Sequence, residues 1–247
     1  MSILRTESLC RSYGASVVLS DISIEIERGE FAAIMGQSGG GKSTLLYCIS
    51  GMDKPTSGRV WFDGGEMTSM TPVQMQELRL GRMGFIFQKT SFLKDLSVID
   101  NIVYPAFQLK KKSRSEILAE ARGLMREMGI SAVEDSDISE VSGGQLQRAA
   151  ICRAMINHPD ILFGDEPTGA LNSSATRDVL AIMDKINRGG TTILLVTHDA
   201  NVALHADRVI YLEDGRVKDA LLLGKYDASD NESRERTMKR WLKDMRF

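Results

Sequence analysis

Hydrophobic and polar positions divide the chain into segments of distinct period. Ile22, Ile24 and Ile26 alternate with Ser23 and Glu25, so the stretch from Leu4 to Ile26 reads as an antiparallel start with half-buried strands. Arg28-Gly29 turns the chain into Phe31-Ala32-Ala33-Ile34-Met35, an unbroken apolar run of buried-strand type. Leu45-Leu46-Tyr47-Cys48-Ile49 reads as the first turns of a buried helix. Pro55-Thr56-Ser57-Gly58 is a turn, Val60-Trp61-Phe62 a strand, and Asp63-Gly64-Gly65 its closing turn. Thr71 to Leu80 is a helix candidate, and Phe85-Ile86-Phe87 a strand ending at Gln88.

From Ser91 to Glu140 the character is helical. Ser113 and Glu116 form a capping-box pair, and Ile117, Leu118, Ala121, Leu124, Met125 and Met128 follow at helical spacing as packing residues. Lys110-Lys111-Lys112 is a solvated charge run ahead of them. A second helix opens at Val141-Ser142-Gly143-Gly144-Gln145-Leu146-Gln147-Arg148 and continues through Ile156. The C-terminal part alternates buried strands with helices: strand 161–163, helix near Ala175 to Asn187, strand 192–196, and a hairpin of Val209–Leu212 and Arg216-Val217 about Asp214-Gly215. From Ser233, the residues Met238, Trp241, Leu242 and Met245 share one helical face, with Arg234, Lys239, Arg240, Lys243 and Arg246 elsewhere. That stripe suits packing on its own domain or a partner better than an anionic membrane surface.

Composition is that of an ordinary globular protein: 247 residues, 43% hydrophobic and 26% charged, enough for one large domain or two small ones. A formal net charge of -2 gives no reason to expect a nucleic-acid partner. Cys10, Cys48 and Cys152 show no metal-ligand spacing and are expected as reduced core thiols of a cytosolic protein. No apolar run approaches the roughly 18 residues of a transmembrane helix, and the first residues lack a signal-peptide apolar region. Work at a membrane would therefore need a partner.

The chemistry concentrates at Gly36-Gln37-Ser38-Gly39-Gly40-Gly41-Lys42-Ser43-Thr44, which fits the phosphate-binding pattern G-x-x-x-x-G-K-[ST] between a strand and a helix. Glycines let the backbone curl around an anion, and the helix start presents free N–H groups and a partial positive charge. Lys42 adds a full charge for the β- and γ-phosphates, and the Ser43 hydroxyl is placed to ligate Mg²⁺. Ser142-Gly143-Gly144 at a helix start is a second anion-binding geometry. Asp165 and Glu166 put two carboxylates at a strand end, a costly pair unless one meets a cation and the other does chemistry. Tyr13 is either a platform for an adenine ring or an ordinary strand residue. Gln88 and His198, taken singly, are ordinary loop and strand-end residues.

In this order the motifs resemble the nucleotide-binding subunit of ABC transporters, from about Ile3 to about Val217. Gly36 to Thr44 matches Walker A, Gln88 the Q-loop, Ser142-Gly143-Gly144-Gln145 the signature motif, and Ile161 to Asp165 Walker B, with Glu166 at the catalytic carboxylate position. Ala170-Leu171-Asn172 sits at the D-loop and His198 at the switch histidine. The resemblance implies an α/β P-loop NTPase core with an N-terminal antiparallel β subdomain and an inserted helical subdomain at about 91–150. The ATPase domain would run over 1–225, ahead of an amphipathic tail at 226–247.

It also implies roles. Tyr13 would stack on adenine, and Asp165 and Ser43 would hold Mg²⁺. Gln88 would sense the metal and the γ-phosphate, Glu166 would polarise the attacking water, and His198 would contact the γ-phosphate. The signature loop would close on the ATP of a second copy, giving a head-to-tail pair around two ATP molecules. A membrane permease would hold that pair peripherally at the cytoplasmic face of the plasma membrane. Departures from the family pattern are Gly40, where Ser, Ala or Cys is frequent, Val141 and Leu146 beside the signature motif, and Asn172, where Asp is usual.

Arg82-Met83-Gly84-Phe85-Ile86-Phe87-Gln88, Leu96-Ser97-Val98, Asn101-Ile102 and Thr168-Gly169-Ala170-Leu171 resemble the branch of macrolide exporters, lipoprotein-releasing ATPases and bacitracin-type peptide exporters. Expected function is thus an ATPase driving a permease for an antimicrobial peptide or lipid-like substrate. The alternative is a regulatory ATPase that signals to an envelope partner without moving solute. A nucleic-acid or ribosome ATPase of the same superfamily would bring paired cassettes, a coiled-coil insertion or zinc cysteines.

Overall fold

The computed structural model describes residues 1–245. They form two compact units: Met1–Met75 together with the chain from Ile186 onward, and Gln76–Lys185.

The first unit contains two sheets. One is antiparallel, in the order β2 (Ser16–Ile22), β1 (Ser2–Tyr13), β5 (Ser57–Phe62), β6 (Gly65–Glu66), with β3 (Glu25–Glu27) also on β1. The isoleucine alternation spans two strands rather than one: β2 ends at Ile22 and β3 starts at Glu25, although Ile22, Ile24 and Ile26 are all buried. Thr6 joins the break from the opposite strand. Its hydroxyl donates to the Ile22 carbonyl at 3.0 Å and accepts from the Ile24 N–H at 2.9 Å.

The other sheet runs β11 (Arg216–Leu222), β10 (Arg208–Glu213), β4 (Phe31–Met35), β9 (Thr192–Val196) within this unit. β10, β4 and β9 are parallel, and every residue of β4 and β9 is buried. Continuous apolar runs are what a parallel strand covered on both faces requires. The β10–β11 hairpin turns at Asp214 and Gly215, both with positive φ, as two-residue hairpin loops demand. Between the sheets in sequence lies α1 (Lys42–Ile49), which follows the phosphate loop.

The C-terminal stripe packs inside this unit. In α8 (Asn231–Asp244), Met238, Trp241 and Leu242 are buried. The Trp241 ring meets Tyr211 of β10 edge-on at 5.9 Å, and its Nε1 donates to Asp219 of β11 at 2.7 Å. Arg234 departs from the expected outward set: it is only 3% exposed. It stands one turn before Met238 on the same face, and its guanidinium donates to the carbonyls of Leu204, Ala206, Leu223, Gly224 and Lys225. Five acceptors are what make burial of that charge affordable. Arg246 lies outside the described residues.

The second unit pairs β7 (Met83–Phe87) with β8 (Ile161–Asp165) in parallel. Helices α3 (Val98–Leu109), α4 (Arg114–Glu127) and α5 (Gly143–Met155) pack on one another. The predicted capping box at Ser113 and Glu116 opens α4, whose buried face is Ile117, Ala121 and Met125. Asn101, 1% exposed, holds the chain entering α3: its amide bonds the Leu93, Leu96 and Ser97 carbonyls and accepts from Leu93 N–H. Helix α2 (Pro72–Arg82) leads into β7 and α6 (Ser173–Arg188) follows β8. Cys48 and Cys152 are buried, and burial pushes both thiols up to about 12, which keeps them unreactive. Cys10 differs from the expected core thiol: it is half-buried on β1, donating to Ser8 O and accepting from Asp21 N–H.

Candidate functional site

In the first unit, two parallel neighbours deliver the phosphate loop and the histidine. The register pairs Ile34 with Val196, so Gly36 and His198 each stand two residues beyond the same rung. Open α/β sheets bind ligands at such carboxyl ends. Gly36 has φ +151°, and a β-carbon there would fall 2.0 Å from the Leu212 carbonyl oxygen. Only glycine lets the loop pass β10 this closely. Ser38 and Gly39 are exposed, Gly40 half-buried, and Gly41, in left-handed conformation, caps α1 in place of a side chain. Lys42 is 8% exposed, and its ammonium donates to the carbonyls of Gly36 at 2.9 Å and Gln37 at 2.8 Å. Ser43 and Thr44 are half-buried in the first turn of the helix. His198 is exposed, directly after the buried Thr197 whose N–H donates to Ile34 O at 3.1 Å.

Tyr13, at the end of β1, is 48% exposed. Its hydroxyl donates to Asp53, and the Arg11 guanidinium lies 4.2 Å from its ring centre. Arg11 grips the same carboxylate with Nε at 2.9 Å and Nη2 at 2.8 Å. Desolvation alone would raise the Asp53 carboxyl. The bonds from Tyr13 and Lys54 N–H and the charge of Arg11 outweigh it and hold the group below the usual carboxylate range. Nothing in the sequence marks Arg11 and Asp53 as partners, since they are 42 residues apart.

In the second unit the register pairs Phe87 with Asp165, so Gln88 and Glu166 leave β7 and β8 side by side. Glu166 has φ +49°, a left-handed backbone for a non-glycine residue at a strand end. Such strain persists where the surroundings enforce it, and it gathers at functional sites. Gly169 N–H donates back to Glu166 O at 3.0 Å. A β-carbon at Gly169 would lie 2.8 Å from Gln88 Nε2, so the glutamine amide rests against bare backbone. Arg153, in the last turn of α5, holds the segment after Gln88. Its guanidinium donates to Thr90 O and Ser91 O and lies 4.5 Å from the Phe92 ring centre. Sequence patterning carried no sign of this clamp.

The signature residues form the N-terminus of α5. Exposed Ser142 is the N-cap, and its hydroxyl accepts from Gln145 N–H while the Gln145 side chain accepts from Ser142 N–H. This capping box leaves Gly143 and Gly144 in the first turn without side chains over their N–H groups. Asn172 has a local task of its own: its side-chain oxygen accepts from Ala175 N–H at 2.9 Å at the start of α6.

Known proteins resemble this chain in sequence and in fold. The ABC transporter family matches residues 19–169. The macrolide export ATP-binding/permease protein MacB of Mannheimia succiniciproducens is 43% identical over 89% of this chain, and the chain spans 34% of that protein's length. Lipoprotein-releasing system ATP-binding protein LolD 1 of Chlorobium chlorochromatii is 42% identical over 81% of this chain and 82% of its own. The ATP-binding cassette MJ0796, solved as a dimer in a post-hydrolysis state with ADP and Pi, superposes with a TM-score of 0.84 at 32% identity, over 90% of this chain and 100% of that one. CbiO1 from Clostridium perfringens, part of the transporter complex cbiONQ, gives 0.83 at 28% identity over 98% and 94%. The chain belongs to the ABC transporter family and is an ATPase of that family.

Proposed function

We propose that this chain binds ATP with Mg²⁺, closes head-to-tail on a second copy of itself, and powers a membrane permease that exports or removes an antimicrobial peptide or lipid-like substrate. The phosphate loop from Gly36 to Thr44 holds the phosphates, with Lys42 as the cation. The proposed metal donors, the Ser43 hydroxyl, the Gln88 amide oxygen and the Asp165 carboxylate, are all oxygens, the set that a hard cation prefers. Magnesium bound there would neutralise phosphate charge. Glu166 takes the proton of the attacking water, and His198 steadies the γ-phosphate. Ser142, Gly143, Gly144 and Gln145 present a capped helix start to the nucleotide held by the other copy. Support for a permease partner and for pairing comes from relatives whose names join ATP binding to macrolide export or lipoprotein release, and from the dimeric cassette. Among the described residues no helix is long and apolar enough to cross a membrane.

The observation that carries the reading is the strand register: it aligns Gln88 with Glu166, and Gly36 with His198, at carboxyl ends of parallel strands. The test is Glu166→Gln, which keeps the shape and removes the base. MgATP binding should persist while turnover falls by about 10²–10⁴ and closed dimers accumulate. Near-normal turnover in the purified variant would falsify the assignment of Glu166. Solute movement in vesicles holding the permease separates transport from signalling.

A further inference from the structure

Tyr13, Arg11 and Asp53 form a closed triangle on the first unit. One carboxylate receives the tyrosine hydroxyl and both arms of the arginine fork, and the same guanidinium lies on the tyrosine ring. The ring is thereby held at its edge and on one face, while the residue stays 48% exposed. Asp53 is itself anchored. Its N–H donates to Tyr47 O at 3.0 Å, as does the Met52 N–H at 2.9 Å, at the far end of α1, the helix that begins with the phosphate loop. The aromatic group and the phosphate cradle are thus tied to opposite ends of one short helix.

We propose that Arg11 and Asp53 are positioning residues for nucleotide binding, which hold the Tyr13 ring as a fixed stacking surface for the adenine base. The inference rests on the reading of the phosphate loop as an ATP site. A free tyrosine at a strand end would lose rotamer freedom on stacking; one already pinned by a hydroxyl bond and a guanidinium loses none, so base affinity rises without any new contact. A stack of this kind accepts any base by its π-face, so the device supplies affinity for a nucleoside rather than choice among bases.

The experiment compares two probes on the full chain, ATP and inorganic tripolyphosphate, both with Mg²⁺. Tripolyphosphate needs only the loop. Tyr13→Ala should weaken ATP by about tenfold and leave tripolyphosphate unchanged. Tyr13→Phe, which keeps the ring and removes its hydroxyl, and Asp53→Asn, which weakens the grip on both partners, should each weaken ATP by about threefold or more with tripolyphosphate again unchanged. Arg11→Lys keeps the charge but not the fork, and should fall between Arg11→Ala and the unaltered chain. If Tyr13→Ala weakens ATP while Tyr13→Phe and Asp53→Asn do not, the ring stacks without needing its holders and the inference is overturned. Equal weakening of both probes in Asp53→Asn also overturns it, because the pair then serves the fold near α1. If Tyr13→Ala leaves ATP untouched, the base contact itself is absent. Loss of tripolyphosphate binding in Lys42→Ala tests the phosphate loop separately.

Discussion

At the scale of single residues, two positions show how tightly local geometry constrains chemistry. Gly36→Ala would drive a methyl group into the Leu212 carbonyl, against a backbone whose φ of +151° already resists a side chain. The expected cost is about 1–3 kcal/mol in urea unfolding, together with weakened nucleotide binding. Asp53 gives a pH dependence of definite sign. Its folded carboxyl is held below its usual value, so its contribution to stability is fully present above the unfolded value of about 3.9. That contribution is lost as pH falls through the lower, folded value. Unfolding midpoints measured from pH 6 down to pH 2.5 should therefore fall more steeply for the unaltered chain than for Asp53→Asn; parallel curves would contradict this. The phosphate-loop residues were legible because their pattern is local and contiguous. The partners of Tyr13 were not, because Arg11 on β1 and Asp53 just beyond α1 stand 42 residues apart and meet only in the fold. Arg234 misled for a related reason. Its charge suggested solvent, and the five carbonyls around it, none of them in its own helix, explain its burial.

At the scale of elements, periodicity and capping did most of the specifying. The runs 31–35 and 192–196 became β4 and β9 with every residue buried, and Ser113 with Glu116 marked the start of α4 to the residue. Alternation was a weaker guide where a strand breaks: Ile22, Ile24 and Ile26 are all buried, but Ile22 and Ile26 belong to different strands and Ile24 to neither, with Thr6 satisfying the interrupted backbone. Two helices in the second unit begin with the same device, Ser113 with Glu116 and Ser142 with Gln145. Their exposed serines allow a comparison. Ser113→Ala should cost about 1 kcal/mol in chemical unfolding and leave ATP binding intact, since it removes only a cap. Ser142→Ala should cost a similar amount and also slow turnover, because that cap belongs to the proposed nucleotide contact. If both variants lost stability alone, the helix start at Ser142 would have a purely structural role.

At the scale of the whole molecule, the proposed assembly divides each nucleotide site between two copies. Mixing Ser142→Arg chains with Lys42→Ala chains tests that division. Each variant alone spoils both sites of its own dimer. A mixed dimer keeps one site with both elements intact and one with neither. Random pairing makes half the dimers mixed, so turnover should recover to about a quarter of the unaltered value if one intact site suffices. A mixture no more active than its components would contradict sharing of sites between copies. This level was the least legible in the chain. Exposed Ser142 has its local task as a helix cap, but its proposed second role and that of exposed His198 depend on groups of another molecule or of a bound nucleotide.

The location of the two tryptophans has a practical consequence. Trp61 sits beneath the Arg5 guanidinium, 4.0 Å from its ring centre, and Trp241 lies edge-on to Tyr211. Both belong to the first unit, and residues 76–185 contain none. Intrinsic tryptophan emission therefore has no chromophore in the helical unit that carries Ser142, Arg153 and Glu166. If that unit melted or shifted alone, the emission would have no direct reporter of it, while far-ultraviolet ellipticity would register the lost helix. Dichroism reads the helices of both units and tryptophan emission only the first, so ellipticity lost at unchanged emission would mark the helical unit as the part that moved first.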